Sequence, residues 1–286
     1  MKHATILLLM VFLVVFLGSP AFASTERLTA LSPDGISLSY TVQGKGDPAL
    51  VFVHCWCCDK SYWDNQVPYF EEKYRVVTID LGGHGESGSG RGDWTVESFG
   101  SDVAAVVKAL GLTHVILVGH SMGGEVNLEA ARLLSGRVLG LVGVDTYRDF
   151  TERIPAEQRD AYLASFAADF PTTTKTFVRG MFPPNADSAL VSRIVSDMAS
   201  APPEVGIAAM RSIMSHDPAA ALKELKLPIW SINTDRWPTN VEGNRKLAHS
   251  FNVKYMPGLG HFVLLEDPAA FNALLEETIG EIMKDR

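Results

Sequence analysis

Residues Gly119-His120-Ser121-Met122-Gly123-Gly124 constrain what this chain can fold into more than any other stretch. They follow an apolar, β-branched run from His114 to Val118 and precede a helical pattern from about Met122 to Leu134. Strand, then Gly-x-Ser-x-Gly, then helix is the context of a nucleophile elbow. The turn is too tight for ordinary side chains, so glycines flank the serine. The hydroxyl is then held out at the sheet's C-terminal edge, beside a helix N-terminus that favours negative charge. The pattern alone is weak, because chance gives it in roughly one chain in ten of this length. The remainder of the sequence must supply a base, an acid and an oxyanion hole.

The chain has 286 residues, 47% of them hydrophobic and 20% charged. That is a globular composition with ample core, and it argues against disorder. The net charge of −8 and the lack of any basic run give no reason to expect nucleic acid or an anionic membrane as partner. The first residues differ in kind. Lys2, an apolar run from Ile6 to Leu17 and Ala21-Phe22-Ala23 read as a signal peptide over residues 1–23. The run is shorter than the roughly 20 residues a spanning helix needs. The expectation is a soluble, exported, periplasmic or secreted chain beginning near Ser24, with no membrane contact once the leader is removed. The oligomeric state is left open.

Short continuous apolar runs at Ala49–Val53, Arg75–Ile79, His114–Val118, Val138–Val144, Pro228–Ile232 and Val253–Met256 suit strands buried on both faces of a parallel sheet. A hairpin at Arg27–Val42, turning at Asp34-Gly35, precedes them. Helical patterns lie between the strands, at Val96–Leu110, Met122–Leu134, Asn240–His249 and Pro268–Met283. The alternation predicts an α/β fold with a mostly parallel sheet. From about Tyr147 to Leu222 no strand pattern occurs. Helical stretches broken at Pro171, Pro183-Pro184 and Pro202-Pro203 stand there instead. That segment is too long for an ordinary connection and reads as a helical cap within a single domain over residues 24–286.

A serine hydroxyl needs a base. His261, glycine-flanked in Gly258-Leu259-Gly260-His261-Phe262 just after the last strand, reaches the edge where Ser121 is presented. His120 neighbours the serine but should point elsewhere. The imidazole needs an acid to fix its tautomer and stabilise its charged form. Two aspartates end strands in the right place. Asp235 precedes His261 by one helix and one strand and gives the order Ser121, Asp235, His261; Asp145 is the alternative, its other reading being a carboxylate that caps the start of the cap. Three cysteines, Cys55, Cys57 and Cys58, fall within four residues. Reduced cysteines packed in a buried loop are expected, with a Cys55–Cys58 or vicinal bridge as the alternative.

These pieces resemble the α/β-hydrolase family over nearly all of the chain after the leader. The elbow matches, as do Asp80-Leu81-Gly82-Gly83-His84-Gly85-Glu86-Ser87, Gly260-His261-Phe262, Glu266-Asp267-Pro268 and the strand end Val51-Phe52-Val53-His54. The resemblance implies structural roles for Asp80 and His84 and a supporting role for His54 beneath an oxyanion loop. It implies an oxyanion hole from the backbone N–H groups of Trp56 and Met122. Cys55 stands where the family usually has Gly, so a positive φ there would store about 1–3 kcal/mol of strain.

A serine at the elbow argues against the family's carboxylate-nucleophile branches, the haloalkane dehalogenases and epoxide hydrolases. It suits acyl transfer to water, with a small or medium carboxylic ester as the expected substrate. A lactonase, a C–C hydrolase or a cofactor-free perhydrolase or haloperoxidase would use the same residues. A non-catalytic binding protein on the same fold is the reading from another class. No metal or organic cofactor is implied. Trp56, Trp63, Trp237, Phe177, Met181 and Phe182 are candidates for an apolar acyl pocket, with core packing as their other reading.

Overall fold

The computed structural model describes residues 27–284. The expected leader, residues 1–23, lies outside the described residues. Eight strands form one sheet in the order β1-β2-β4-β3-β5-β6-β7-β8. The hairpin of β1 (Arg27–Leu31) and β2 (Ser37–Gln43) is antiparallel, and β2 runs antiparallel to β4 (Arg75–Ile79). From β4 onward every pairing is parallel, through β3 (Ala49–Val53), β5 (Val115–His120), β6 (Val138–Val144), β7 (Pro228–Asn233) and β8 (Ser250–Tyr255). Every residue of β3 and β5 is buried. This is why those strands are unbroken apolar runs rather than alternating ones.

A short helix, α1 (Val67–Phe70), precedes β4. Helix α2 (Val96–Ala109) starts at a capping box in which Thr95 and Ser98 each bond the other's backbone N–H. It buries Val96, Phe99, Val103, Val106 and Val107. Helix α3 (Met122–Leu133) packs on α2 and on β3, β5 and β6. Between β6 and β7 stand five helices: α4 (Ala156–Ala168), α5 (Phe170–Arg179), α6 (Ser188–Met198), α7 (Pro203–Ser215) and α8 (Ala219–Glu224). They form a cap whose aromatic centre is Trp56, ringed by Phe166, Phe170 and Phe177 with centroids 5.8–5.9 Å away. After β7 come α9 (Val241–Leu247), the short α10 (Val263–Glu266) after β8, and α11 (Pro268–Lys284), which packs on β6 and β7. Among the described residues no helix is long and apolar enough to cross a membrane.

The cap is tied to the sheet layer by ions as well as by rings. His216, which ends α7, bonds Glu125 at 2.9 Å through Nδ1 and Glu129 at 3.0 Å through Nε2, both carboxylates being on α3. Burial alone would lower its pKa, but the two carboxylates outweigh it and raise it to about 10. A histidine raised in this way contributes its full stability below its ordinary pKa near 6.5, and the contribution is lost as pH rises through about 10. We predict that His216→Gln lowers stability by about 1.5–3 kcal/mol near pH 6. The gap from wild type should close between pH 7 and 10; thermal melts across that range check it, and a constant gap would contradict it.

Candidate active site

Three strand ends build the site. Beyond β5, the Ser121 N–H bonds the Val144 carbonyl of β6 at 2.9 Å. Beyond β6, the Asp145 N–H bonds the Ile232 carbonyl of β7 at 2.8 Å. Beyond β8, the Met256 N–H bonds the Asn233 carbonyl at 2.9 Å, just before the loop that carries His261. The parallel ladder thus continues one residue past each strand and fixes the positions from which the side chains leave.

Ser121 sits at φ 52°, ψ −116°, a left-handed conformation unusual for a residue with a side chain. The flanking glycines serve close approach. A Cβ on Gly119 would lie 2.2 Å from the Gly123 carbonyl oxygen, and one on Gly123 would lie 2.5 Å from the Val53 carbonyl oxygen. Ser121 Oγ makes no hydrogen bond among the described residues, and it opens into a cleft of about 620 Å³ that also holds His261, Asp145 and Trp56.

His261 Nδ1 lies 2.6 Å from Asp145 Oδ2. Asp145 Oδ1 accepts the Thr234 N–H at 2.9 Å and contacts Arg148 Nη2. Burial would raise the Asp145 pKa, but the bond to His261 and the charges of His261 and Arg148 hold it below the usual carboxylate range. The expected pairing of Asp235 with His261 is therefore corrected. Asp235 is exposed and its Oδ1 accepts the Gly258 N–H at 2.9 Å, bracing the loop instead of meeting the imidazole. The alternative, Asp145, holds the position. Asp145 is buried and its carboxylate turns toward the imidazole, whereas the Asp235 carboxylate turns to Gly258 at the surface.

The His261 loop is clamped from several sides. Glu266 accepts from the Gly260 N–H at 2.9 Å and the Phe262 N–H at 3.1 Å, one on each side of the histidine. The His261 N–H bonds the Met181 carbonyl of the cap at 3.1 Å. His120 donates from Nε2 to the His261 carbonyl at 2.8 Å; burial and the His261 ring push its pKa down to about 3, so it stays neutral. His120 points away from the cleft as expected. Its use as a support for the His261 loop was not legible from its position beside Ser121.

The loop after β3 carries Trp56, whose backbone N–H is the expected oxyanion donor. Neither the Trp56 nor the Met122 backbone N–H bonds a protein acceptor among the described residues, and Trp56 lines the cleft beside Ser121. Beneath the loop, His54 donates from Nδ1 to the Cys55 carbonyl at 2.8 Å and accepts the Leu81 N–H on Nε2 at 3.1 Å. Asp80, fully buried, accepts the Lys60 N–H at 2.7 Å and the Glu86 N–H at 3.0 Å. His84 Nδ1 bonds the Gly82 carbonyl at 3.0 Å. These three residues knit the loops together.

The cysteines differ from the expected reduced trio. The sulfurs of Cys55 and Cys58 are bonded, with Cα atoms 5.4 Å apart, and Cys57 is a buried free thiol. The expected site of strain is also corrected. Cys55 does not adopt a positive φ, whereas Cys57 does, at 55°. Of the pocket candidates, Trp56, Phe177, Met181 and Trp237 line the cleft. Trp63 is core, 4.7 Å from the Phe52 ring, and Phe182 is core, stacked at 5.0 Å on Phe262. Met198, Met210 and Ile213 from the cap complete the apolar wall, a role that their spacing in the sequence does not signal. Among the described residues no group of three or more His, Cys, Asp or Glu side chains is arranged to hold a metal ion.

Residues 50–274 match the alpha/beta hydrolase family, and the chain belongs to that family. It is 26% identical over 269 residues to 3-oxoadipate enol-lactonase 2 of Acinetobacter baylyi, a match covering 90% of this chain and 97% of the relative. It is 33% identical over 151 residues to a non-heme chloroperoxidase of Streptomyces lividans, covering 49% of this chain and 55% of that one. Among solved structures it resembles a thermophilic esterase from Thermogutta terrifontis, with a TM-score of 0.75, 24% identity, and coverage of 90% of this chain and 99% of the other. That last likeness is one of fold.

The disulfide gives a direct chemical expectation. Alkylation of the denatured, unreduced protein should label one thiol, and after reduction all three cysteines. Three labels before reduction, read by mass, would contradict the bridge.

Proposed function

We propose that the protein is a serine hydrolase that cleaves small or medium carboxylic esters through an acyl-enzyme, with Ser121 as nucleophile, His261 as base and Asp145 as acid. The observation that carries this reading is the 2.6 Å bond between His261 Nδ1 and a buried Asp145 carboxylate, in the same cleft as a left-handed Ser121. His261 takes the serine proton through Nε2 as Oγ attacks the acyl carbon, and Asp145 stabilises the imidazolium. The N–H groups of Trp56 and Met122 receive the developing oxyanion, which the positive end of α3 also favours. The imidazolium then protonates the departing alkoxide, and water activated by the same histidine releases the acid. The methionine-rich cap wall suits an aliphatic acyl group, because unbranched thioether side chains adapt to varied shapes. A lactone is an internal ester opened by the same steps, and the full-length likeness to an enol-lactonase supports including lactones as substrates.

Hydrolysis of p-nitrophenyl acetate and butyrate, extended to lactones and longer esters, tests the reading. Ser121→Ala should reduce turnover by several orders of magnitude. Asp145→Asn should reduce kcat by about 10³–10⁴-fold, while Asp235→Asn changes it only a few-fold. No turnover in wild type together with no labelling of Ser121 by a serine-directed inhibitor would leave a binding protein as the better reading. A greater loss from Asp235→Asn than from Asp145→Asn would overturn the assignment of the acid.

We also propose that residues 1–23 direct export. The charged and apolar leader and a disulfide suited to an oxidising compartment support this. Expression with the native N-terminus should yield processed protein beginning near Ser24; an unprocessed protein retained with the cytosol would contradict it.

A further inference from the structure

Arg148 lies three residues past Asp145, where the chain turns from β6 into the cap. Its Nη2 contacts Asp145 Oδ1, the oxygen turned away from His261. Its Nη1 donates to the Trp237 carbonyl at 2.5 Å and reaches the Thr234 carbonyl at 3.5 Å. The guanidinium carbon stands 5.3 Å from the centroid of the Trp237 ring, and that ring meets the His261 ring edge-on at 6.4 Å. Arg148 borders the cleft, yet both terminal nitrogens are engaged by the protein. Both of those nitrogens are directed at Asp145 and at the loop after β7.

We propose that Arg148 is a positioning residue that acts on His261 through Asp145: it holds the carboxylate with Oδ2 toward Nδ1, and its charge limits how strongly that carboxylate favours imidazolium over imidazole. The assignment of His261 as base rests on the hydrolase reading above. The geometric part follows from the bonds to Oδ1. With Thr234 N–H and Arg148 on one oxygen, rotation of the carboxylate would break two bonds, one of them charge-assisted. The electrostatic part follows from two cations sharing one anion. A carboxylate next to histidine favours the protonated ring, and a guanidinium on the same carboxylate opposes it. A base must be unprotonated to act, so the charges gathered on Asp145 bear directly on the role proposed for His261.

The other charged and titratable groups around His261 are placed differently. His120, with its ring 4.7 Å away, is neutral and bonds the backbone carbonyl. Glu266 is occupied by the Gly260 and Phe262 N–H groups. Arg236 stands 5.2 Å from the Trp237 centroid and bonds the Gly180 carbonyl at 3.2 Å. Glu125, which borders the same cleft, is paired with His216. Of these groups Arg148 is the one that contacts Asp145.

Titration of the His261 ring by NMR in histidine-labelled protein tests this without requiring turnover, with the signal assigned through His261→Gln. In Arg148→Met the midpoint should rise by about one pH unit. Arg148→Lys, which keeps the charge and loses the fork, should stay near wild type. In ester hydrolysis the acid limb of kcat/KM should move upward with the midpoint in Arg148→Met, and kcat should fall about tenfold in both variants with KM little changed. If Arg148→Met does not fold, as judged by near-UV circular dichroism, Arg148→Gln carries the same test. An unmoved His261 midpoint in a folded, uncharged variant overturns the proposal. So does a KM increase confined to anionic esters, which would make Arg148 a substrate anchor. Absence of hydrolysis in wild type would instead defeat the hydrolase reading, and the NMR midpoint would still decide the role of Arg148.

Discussion

Where β5 passes into α3, the backbone at Gly119 runs against the carbonyl of Gly123 with no room for a side chain, since a Cβ would sit 2.2 Å from that oxygen. Gly123 in turn leaves no room against the carbonyl of Val53 on β3. This double contact lets the helix start directly off the strand. It forces the residue between into the left-handed conformation in which Ser121 is found. A methyl group at either glycine would push α3 off β3 and β5, carrying the Met122 N–H with it. Ser121 and one proposed oxyanion donor thus share a single backbone junction, and the relative placement of their main chains is set by packing.

The other parts are placed against that junction by the sheet. Because β5, β6 and β7 are parallel neighbours, their C-terminal ends lie side by side, and the ladder bonds at Ser121 and Asp145 extend the order one residue further. The histidine comes from the far edge, on the loop after β8, and has no strand beside it to fix its height. Glu266, His120 and the Met181 carbonyl supply what the ladder cannot, holding the main chain on both sides of His261. One of those holds belongs to the cap. The cap therefore has a part in placing His261 as well as in roofing the cleft.

The legible parts were those that depend on main-chain geometry. Alternating strands and helices, the glycine pattern around Ser121 and the glycine-flanked His261 follow from the space and dihedral demands of a parallel sheet with an elbow. The choice between Asp145 and Asp235 was not legible, because both end a strand at the same edge. They differ in which way the carboxylate leaves the backbone. Asp145, at φ 47°, turns inward to a buried site, while Asp235 turns to Gly258 at the surface. The supporting role of His120 was hidden for a related reason, since it bonds a backbone carbonyl 141 residues away and leaves no spacing pattern. The pairing of Cys55 with Cys58 depends on how a four-residue loop folds, which the residue types alone do not determine.

Among the described residues four that are not glycine take positive φ: Cys57, Ser121, Asp145 and Tyr147. Three of them border the cleft and the fourth lies in the oxyanion loop, so the strain is gathered where the chemistry is proposed. Each such residue costs of order 1–3 kcal/mol and persists because its surroundings over-determine it. The surroundings are visible here. Tyr147 donates from its hydroxyl to the Gly124 carbonyl at 2.6 Å, tying the bend after β6 to the first turn of α3. The Thr146 N–H bonds Asn233 Oδ1 at 3.1 Å, tying the same bend to β7. Cys57 is flanked by the bridge between Cys55 and Cys58. These restraints join neighbouring strand ends to one another. The floor of the cleft is therefore tied from strand end to strand end, and Met181 of the cap wall is tied to it as well through its carbonyl bond to the His261 N–H.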